Sequence, residues 1–565
     1  MCKTKLTSIL LAFILLGFSC NVPLESKSYK NGVVVTAHYL ASEVGREILQ
    51  KGGNAFDAAV AVQFALAVVY PRAGNIAGGG FAVIRTSGGD YNSLDFRETA
   101  PKAAYEQMYC DEDGRVNSDL SKNGDLAVGV PGTVDGMVKL HQKYGKMDWK
   151  ALLEPAIKLA ENGVALSLLE ANKLNDYHDQ IQNQNKGKSL VPYLREGLFR
   201  EGDTLSNIAL SRTLSRIKAS GRNGFYEGET AGLIVSEMEK HGGIITAKDL
   251  QDYQSIWRKP LLGEYRGHKI ISMPPPSSGG VALVQLLKGA GMYKMNKYSF
   301  GSFEHIHLMV ELERRVYADR AAWLGDPDYY EVPVNRLVDD EYLENRFAGI
   351  EMDKKTNSQD IKAGSVELIE SFETTHFSIA DSEGNAIAVT TTLNGNYGSK
   401  VMVEGGGFFL NNEMDDFSSK PGFPNQFGLV GGEANSIQPG KRMLSSMTPT
   451  IIEKDGKLFM VLGSPGGSTI ITSVFQNIIN KIDFKMNPQQ VVDAPRIHSQ
   501  WLPDEIYVET DFPSKEVVDK LKDLKHIVKP QSKIGTMADI FVLDSGEYIG
   551  VADTKRHKDS RASGY

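Results

Sequence analysis

Cysteine is nearly missing from this chain: three of 565 residues carry a thiol, Cys2, Cys20 and Cys110. With the first two assigned to an N-terminal leader, Cys110 is left alone, and no intramolecular disulfide can form. It reads as a small buried or half-buried side chain. An excess of basic charge is also missing. Against 62 lysines and arginines stand 70 aspartates and glutamates, a net charge of −8, which leaves no footprint for nucleic acid and suits a small polar substrate. Low-complexity tracts and 20–50-residue repeats are absent. Beyond residue 20 no apolar run reaches the about 20 residues that a membrane-spanning helix needs. What is present is apolar material, 41% of the chain, enough for a large core. At roughly 100–200 residues per domain the length alone predicts three or four domains, whereas evenly spread proline and glycine predict one globular body.

The first residues have a different texture. Lys3 and Lys5 precede an apolar run from Ile9 to Phe18, and Gly17-Phe18-Ser19-Cys20 closes it. That is the pattern of a signal peptide over residues 1–19. Small residues ahead of a cysteine resemble a bacterial lipobox, in which Cys20 becomes the lipidated first residue of the mature protein. Phe18 is bulky for that motif, and plain secretion is the alternative. The expected location is periplasmic or cell-surface, with membrane contact only through a lipid anchor.

Val33-Val34-Val35 predicts a short buried strand, and the Ala/Val-rich run from Ala55 to Tyr70 a buried helix ended by Pro71. Gly78-Gly79-Gly80 is not followed by Gly-Lys-Ser/Thr, so it reads as close backbone packing rather than a phosphate loop. Residues 150–260 read as a helical scaffold, and Pro274 to Gly280 as a loop entering another helix. His305 and His307 lie two apart on a helix, so their rings diverge by about 200°; with no third ligand nearby in sequence, no metal is expected.

From residue 374 the pattern turns to alternating strands. Thr375 to Ala380 and Ala386 to Thr392 flank the turn-rich Asp381 to Asn385, which predicts a hairpin. Pairing Ala380 with Ala386 sets Thr374 opposite Thr392, about 4.5–5.5 Å apart at Cβ. Asp455-Gly456 predicts a two-residue type I′ turn. Counting outward from Lys454 and Lys457 brings Ser445 and Ser446 beside Gly466 and Pro465. Pro449 must disturb that ladder, so the count gives proximity rather than register.

Seven stretches together resemble the γ-glutamyltranspeptidase family of N-terminal-nucleophile hydrolases: Gly74-Asn75-Ile76-Ala77-Gly78-Gly79-Gly80, Asp95-Phe96-Arg97-Glu98, Val128-Gly129-Val130-Pro131-Gly132-Thr133, Thr374-Thr375-His376, Asn411 to Phe417, Ser445 to Thr450, and Gly463-Ser464-Pro465-Gly466-Gly467. The resemblance runs from about Gly32 to Tyr565. It implies an α/β (α+β) four-layer αββα sandwich built jointly by two chains, a large subunit 20–373 and a small catalytic subunit 374–565, which form a heterodimer. This replaces the several domains suggested by length.

A threonine hydroxyl is a weak nucleophile, and an N-terminal threonine carries its base in its own α-amine, which titrates near 7.7–8.0 in model compounds. The resemblance implies autocatalytic cleavage between Glu373 and Thr374, which creates that amine. It further implies that Thr392 orients the nucleophile and that Gly466 and Gly467 form the oxyanion hole. Arg97, Ser445 and Ser446 match the family's binders of the substrate α-carboxylate; Asn394, Glu413 and Asp416 match the α-ammonium side. At Glu413 some relatives carry glutamine. Lys420 to Phe427 looks like the lid loop of some bacterial members, with Phe427 where a tyrosine commonly bonds the residue matching Asn394. The implied activity is cleavage of γ-glutamyl amides such as glutathione and glutamine, with transfer to water or to amino acid and peptide acceptors, without metal or organic cofactor. Two alternatives stay open: a related acylase on the same fold, acting on cephalosporins or poly-γ-glutamate, and a non-processing lipid-anchored protein that binds γ-glutamyl compounds.

Overall fold

The computed structural model describes residues 27–189, 191–361, 374–420, 423 and 431–565. The expected leader with Cys20, the cleavage residue Glu373 and Phe427 of the expected lid lie outside these residues.

The strand Gly32–Thr36 shows how a continuous apolar run serves two cores. Every residue in it is buried, but successive side chains of a strand point to opposite faces. Val33 and Val35 join a core that also holds Ile270, Ile451 and Ile540, while Val34 joins one shared with the helices Tyr39–Gln50 and Ala55–Val69. The same split recurs along Ala386–Thr392, where Ala386 and Ala388 go to the first core and Ile387 and Val389 to the second. The helix Ala55–Val69 buries all its residues, which is why its sequence is apolar all round rather than amphipathic. Asn54 starts it with a capping box closed by Asp57, an arrangement whose loss costs about 1 kcal/mol.

Two seven-stranded antiparallel sheets carry the architecture. The first runs Arg561–Gly564, Gly32–Thr36, Thr375–Asp381, Ala386–Thr392, Gly79–Arg85, Tyr91–Asp95, Ile256–Arg258. The second runs Ser28–Tyr29, Tyr548–Ala552, Ala538–Val542, Lys457–Leu462, Thr450–Lys454, His268–Ser272, Leu261–Tyr265. Each interleaves segments from before and after residue 374. One core holds Val33, Leu283, Ile451 and Val551 together, so the several domains suggested by length give way to shared cores in a mixed α/β fold. A run of helices from Trp149 to Asp252 forms the expected scaffold, and the loop after Pro274 enters the helix Gly279–Met292. No helix of the described residues is long and apolar enough to cross a membrane. Cys110 is half-buried and free.

The first hairpin has the expected register, Ala380 opposite Ala386 and Thr375 opposite Thr391. The second has the expected turn, with Asp455 at φ 51° and Gly456 at φ 74°. Its outer register is corrected by one residue. A bulge between Ile452 and Glu453 pairs Glu453 with Leu458 but Ile452 with Met460, so Thr450 faces Leu462 where an unbroken count requires Val461. A bulge inserts one extra residue on one strand, here Phe459.

Candidate active site

Thr374 sits at the root of the strand Thr375–Asp381, one step beyond the Thr375/Thr391 pair. It is buried, and it fronts two cavities. One is lined by Thr392, Asn394, Ser445 and Ser446 together with Arg97 and Gly467. The other is lined by Gly466, His376, Lys533 and His557. Thr374 is common to both.

The threonine pair Thr391-Thr392 is held by an asparagine. Asn75 donates from Nδ2 to Thr392 O at 2.9 Å and to Thr391 Oγ1 at 3.1 Å. Its Oδ1 accepts from Gly78 N at 3.0 Å and from the Thr133 hydroxyl at 2.6 Å. The chain at Gly78 passes so close that a Cβ there would lie 2.0 Å from Thr392 O, and only glycine fits. The glycine cluster is thus close packing, as expected, and the Pro131-Gly132-Thr133 stretch supplies a bond to the same asparagine.

Gly466 and Gly467 lie ahead of the helix Thr469–Ile482. Both have positive φ, 136° and 53°, and a Cβ on Gly466 would lie 2.5 Å from Thr469 Oγ1. Neither donates its backbone N–H to another group among the described residues. Two unspent donors beside Thr374, at the positive end of a helix macrodipole, can meet an oxyanion.

Arg97 follows the strand Tyr91–Asp95 and is fully buried. Its Nη1 donates to Glu413, its Nη2 to Asp416 at 2.5 Å, and Glu98 lies 3.8 Å away. Burial alone would lower its pKa, but the three carboxyl groups outweigh burial and raise it. The carboxyl groups share one cation among them. Burial, only partly offset by Arg97, pushes Glu98 up to about 8 and Glu413 well above the usual carboxylate range. Asn411 fixes the turn Glu413–Asp416 by donating to Ala77 O and Gly129 O and accepting from Glu413 N. Asn394, at φ 74°, donates from N to Thr392 Oγ1 at 2.7 Å and from Nδ2 to Asn412 O. Its Oδ1 remains an acceptor.

Ser445 and Ser446 are positioned by the loop Pro274 to Gly280, whose Ser278 donates from both N and Oγ to Ser445 O. A residue not singled out from the sequence completes this wall. Arg320, near the end of the helix Phe303–Trp323, donates from Nε to Ser278 Oγ at 2.9 Å and from Nη2 to Ser446 Oγ at 3.1 Å. Thus Thr374, Thr392, Gly466, Gly467, Arg97, Asn394, Glu413, Asp416, Ser445 and Ser446 all come together around the two cavities.

His376, two residues along the same strand, lines the second cavity with Thr374. Its Nδ1 is bonded to Thr390 Oγ1 and its Nε2 to Ser378 Oγ, and burial pulls it down to about 3. With both nitrogens engaged, it has none left for Thr374. Elsewhere, the rings of His305 and His307 diverge as expected; His307 instead meets His526 at 3.1 Å beside Glu311, whose carboxylate is already paired with Arg315.

Residues 41–563 match the family description Gamma-glutamyltranspeptidase. The chain is 43% identical over 536 residues to the glutathione hydrolase proenzyme of Escherichia coli (strain K12), covering 95% of this chain and 92% of that one. The structure of Helicobacter pylori gamma-glutamyltranspeptidase is 46% identical, with TM-score 0.56, over 59% of this chain and 96% of that chain. The cephalosporin acylase of Bacillus halodurans is 25% identical with TM-score 0.84, over 98% of this chain and 99% of that chain. With nearly the whole length matched and the family's motifs converging on Thr374, the chain belongs to the γ-glutamyltranspeptidase family.

Proposed function

We propose that this protein is an autoprocessing γ-glutamyltranspeptidase and glutathione hydrolase. The observation that carries this reading is Thr374 lining a charged cavity beside two unspent backbone donors, while both ring nitrogens of the neighbouring His376 are already bonded. In the precursor, the Thr374 hydroxyl attacks the Glu373 carbonyl carbon, the peptide C–N bond breaks, and the chain passes to an ester. Water hydrolyses the ester, giving a Glu373 carboxylate and a free Thr374 α-amine, which is basic where an amide is not. That amine then takes the hydroxyl proton as Oγ attacks the γ-carbonyl of the donor. Gly466 and Gly467 hold the oxyanion. The amide C–N bond breaks, the leaving amine takes the proton and departs through the second cavity, and a γ-glutamyl ester of Thr374 remains. Water or an acceptor amine attacks that ester, and Oγ recovers its proton. Arg97, Ser445 and Ser446 serve the α-carboxylate of the donor; Asn394, Glu413 and Asp416 serve its α-ammonium, to which carboxylates and a carbonyl oxygen are the fitting partners.

The subunits are residues 20–373 and 374–565, held as a heterodimer in a four-layer αββα sandwich. Supporting this are the side chains that alternate between a core shared by both sheets and a core shared with helices. Residues 1–19 serve as signal peptide, Cys20 carries a lipid, and the enzyme works in the periplasm or at the cell surface.

The test is denaturing mass spectrometry of wild type beside Thr374→Ala, with glutathione hydrolysis followed in parallel. Two masses from wild type, the smaller beginning at Thr374, with one mass from the variant, support the reading. A single uncut mass from folded wild type refutes it. The likeness to a cephalosporin acylase favours a second reading, an acylase for other amides. That reading requires a glutaryl amide, which lacks the α-ammonium, to be cut faster than its γ-glutamyl counterpart.

A further inference from the structure

Charge in the first cavity is unevenly spent. Arg97 already faces three carboxyl groups, Glu413, Asp416 and Glu98. Arg320 touches none: it is 4% exposed, makes no ion pair among the described residues, bonds only the hydroxyl oxygens of Ser278 and Ser446, and feels Asp416 only at longer range. Removing a guanidinium from water without a counter-charge is strongly unfavourable. Burial, only partly offset by Tyr317 and Asp416, lowers its pKa to about 10, so it stays charged at neutral pH.

The direction of each proton shows where that charge is aimed. A guanidinium donates and never accepts, so both serine oxygens are acceptors towards Arg320. Ser278 sends its own proton to Ser445 O at 2.7 Å. Ser446 Oγ accepts from Arg320, and Ser445 Oγ accepts from Met447 N at 3.1 Å. Neither hydroxyl proton has an acceptor among the described residues, and both serines line the cavity that Thr374 fronts. Two O–H donors side by side with a cation that has no direct ion pair behind one of them make a receptor for a two-oxygen anion.

We infer that Arg320 is a further positioning residue for the donor's α-carboxylate: it adds positive charge, delivered through Ser446, to that of Arg97, whose guanidinium is shared with Glu413 and Asp416. This rests on the γ-glutamyl reading above and deepens it. The prediction concerns Arg320→Met and Arg320→Lys, assayed with γ-glutamyl p-nitroanilide and with 4-aminobutanoyl p-nitroanilide, which keeps the ammonium and lacks the carboxylate. For the γ-glutamyl substrate, Arg320→Met is expected to lower kcat/KM by about 10–100-fold, as for loss of a charged hydrogen bond, mainly through KM. For the 4-aminobutanoyl substrate the change stays within about threefold, as no carboxylate is there to miss the charge. Arg320→Lys recovers part of the loss. Adding Ser446→Ala to Arg320→Met costs less than the two single effects multiplied, because the residues act on one ligand.

Thermal stability separates this role from a structural one. Deleting a cation that has no partner leaves the unliganded protein as stable or more so, whereas deleting a structural strut lowers its Tm. Equal losses on both substrates, or a lowered Tm with the loss, overturn the inference. Should wild type cut no γ-glutamyl amide, the functional reading fails by itself. Calorimetric binding of glutamate and 4-aminobutanoate to Thr374→Ala, with and without Arg320→Met, then decides: selective loss of glutamate supports the assignment, and parallel binding refutes it.

Discussion

Asn75 offers the sharpest test of how the scaffold serves the nucleophile. Its side chain bonds Thr392 O, Thr391 Oγ1, Gly78 N and the Thr133 hydroxyl inside the protein, where it is 4% exposed. Asn75→Ala leaves several buried polar groups without partners, at about 1–3 kcal/mol each; rotation of the Thr133 hydroxyl relieves one, so the total is roughly 3–5 kcal/mol. In a chain this long that loss looks small thermally. Unfolding entropy near 2.1 cal/mol/K per residue amounts to about 1.2 kcal/mol/K here, so Tm falls only about 2–4 °C. Function is far more sensitive. Freeing the Thr392 carbonyl lets the threonine pair drift, and a misplacement near 1 Å costs about 100-fold in rate. Asn75→Asp preserves shape but sets an oxygen against Thr392 O, now 2.9 Å from the amide nitrogen, and fares no better. The assay is scanning calorimetry on each variant together with the rate at which the precursor is cut. If both variants melt within 1 °C of wild type and process at its rate, the claim that Asn75 holds the threonine pair is wrong.

Gly466→Ala is expected to lower kcat by about 100–1,000-fold, the size of losing one oxyanion donor, because the new Cβ meets Thr469 Oγ1 at a backbone angle unfavourable to alanine. Steady-state kinetics reads this, and unchanged kcat removes Gly466 from the site. Glu98, pushed up to about 8 by burial, holds a proton in the folded state that the unfolded chain releases near 4.5. Its contribution to stability is therefore present at pH 4 and lost as pH rises through 8. Glu98→Gln should flatten the fall in Tm between pH 5 and 8.5; an unaltered slope would show that Glu98 does not carry the proton.

The hairpin at Thr374 was legible because the turn-rich Asp381 to Asn385 fixes where the two strands start to pair, and Ala380 faces Ala386 as counted. The outer register of the second hairpin was not, since nothing in Ile452-Glu453 or Phe459 announces a bulge. The site residues were legible through motifs rather than through any residue alone. Asn75 and Asn411 belong to those motifs but act by bonding backbone, a role visible only once distant loops meet. Arg320 was hidden for another reason. Arginines and glutamates on a long helix ordinarily mark a solvated face, but Phe303–Trp323 is buried nearly all round. The one signal was that its charges, Glu304, Glu311, Glu313, Arg314, Arg315, Asp319 and Arg320, fall on no single side.

The threading of the sheets has a consequence for how such a protein can be made. In the first sheet the strand Thr375–Asp381 lies between Gly32–Thr36 and Ala386–Thr392, and Arg561–Gly564 closes the far edge against Gly32–Thr36. A chain severed before Thr374 therefore yields two combs with alternate teeth missing. Either comb alone would leave Val33, Val35 or Ala388 facing water and raw strand edges on both sides of a gap, the condition under which strands recruit one another at random. The pieces are inseparable by origin. They can be expected to reach their joint form only as one polypeptide folded before the cut, and mixing them after separate synthesis should yield aggregate instead of enzyme.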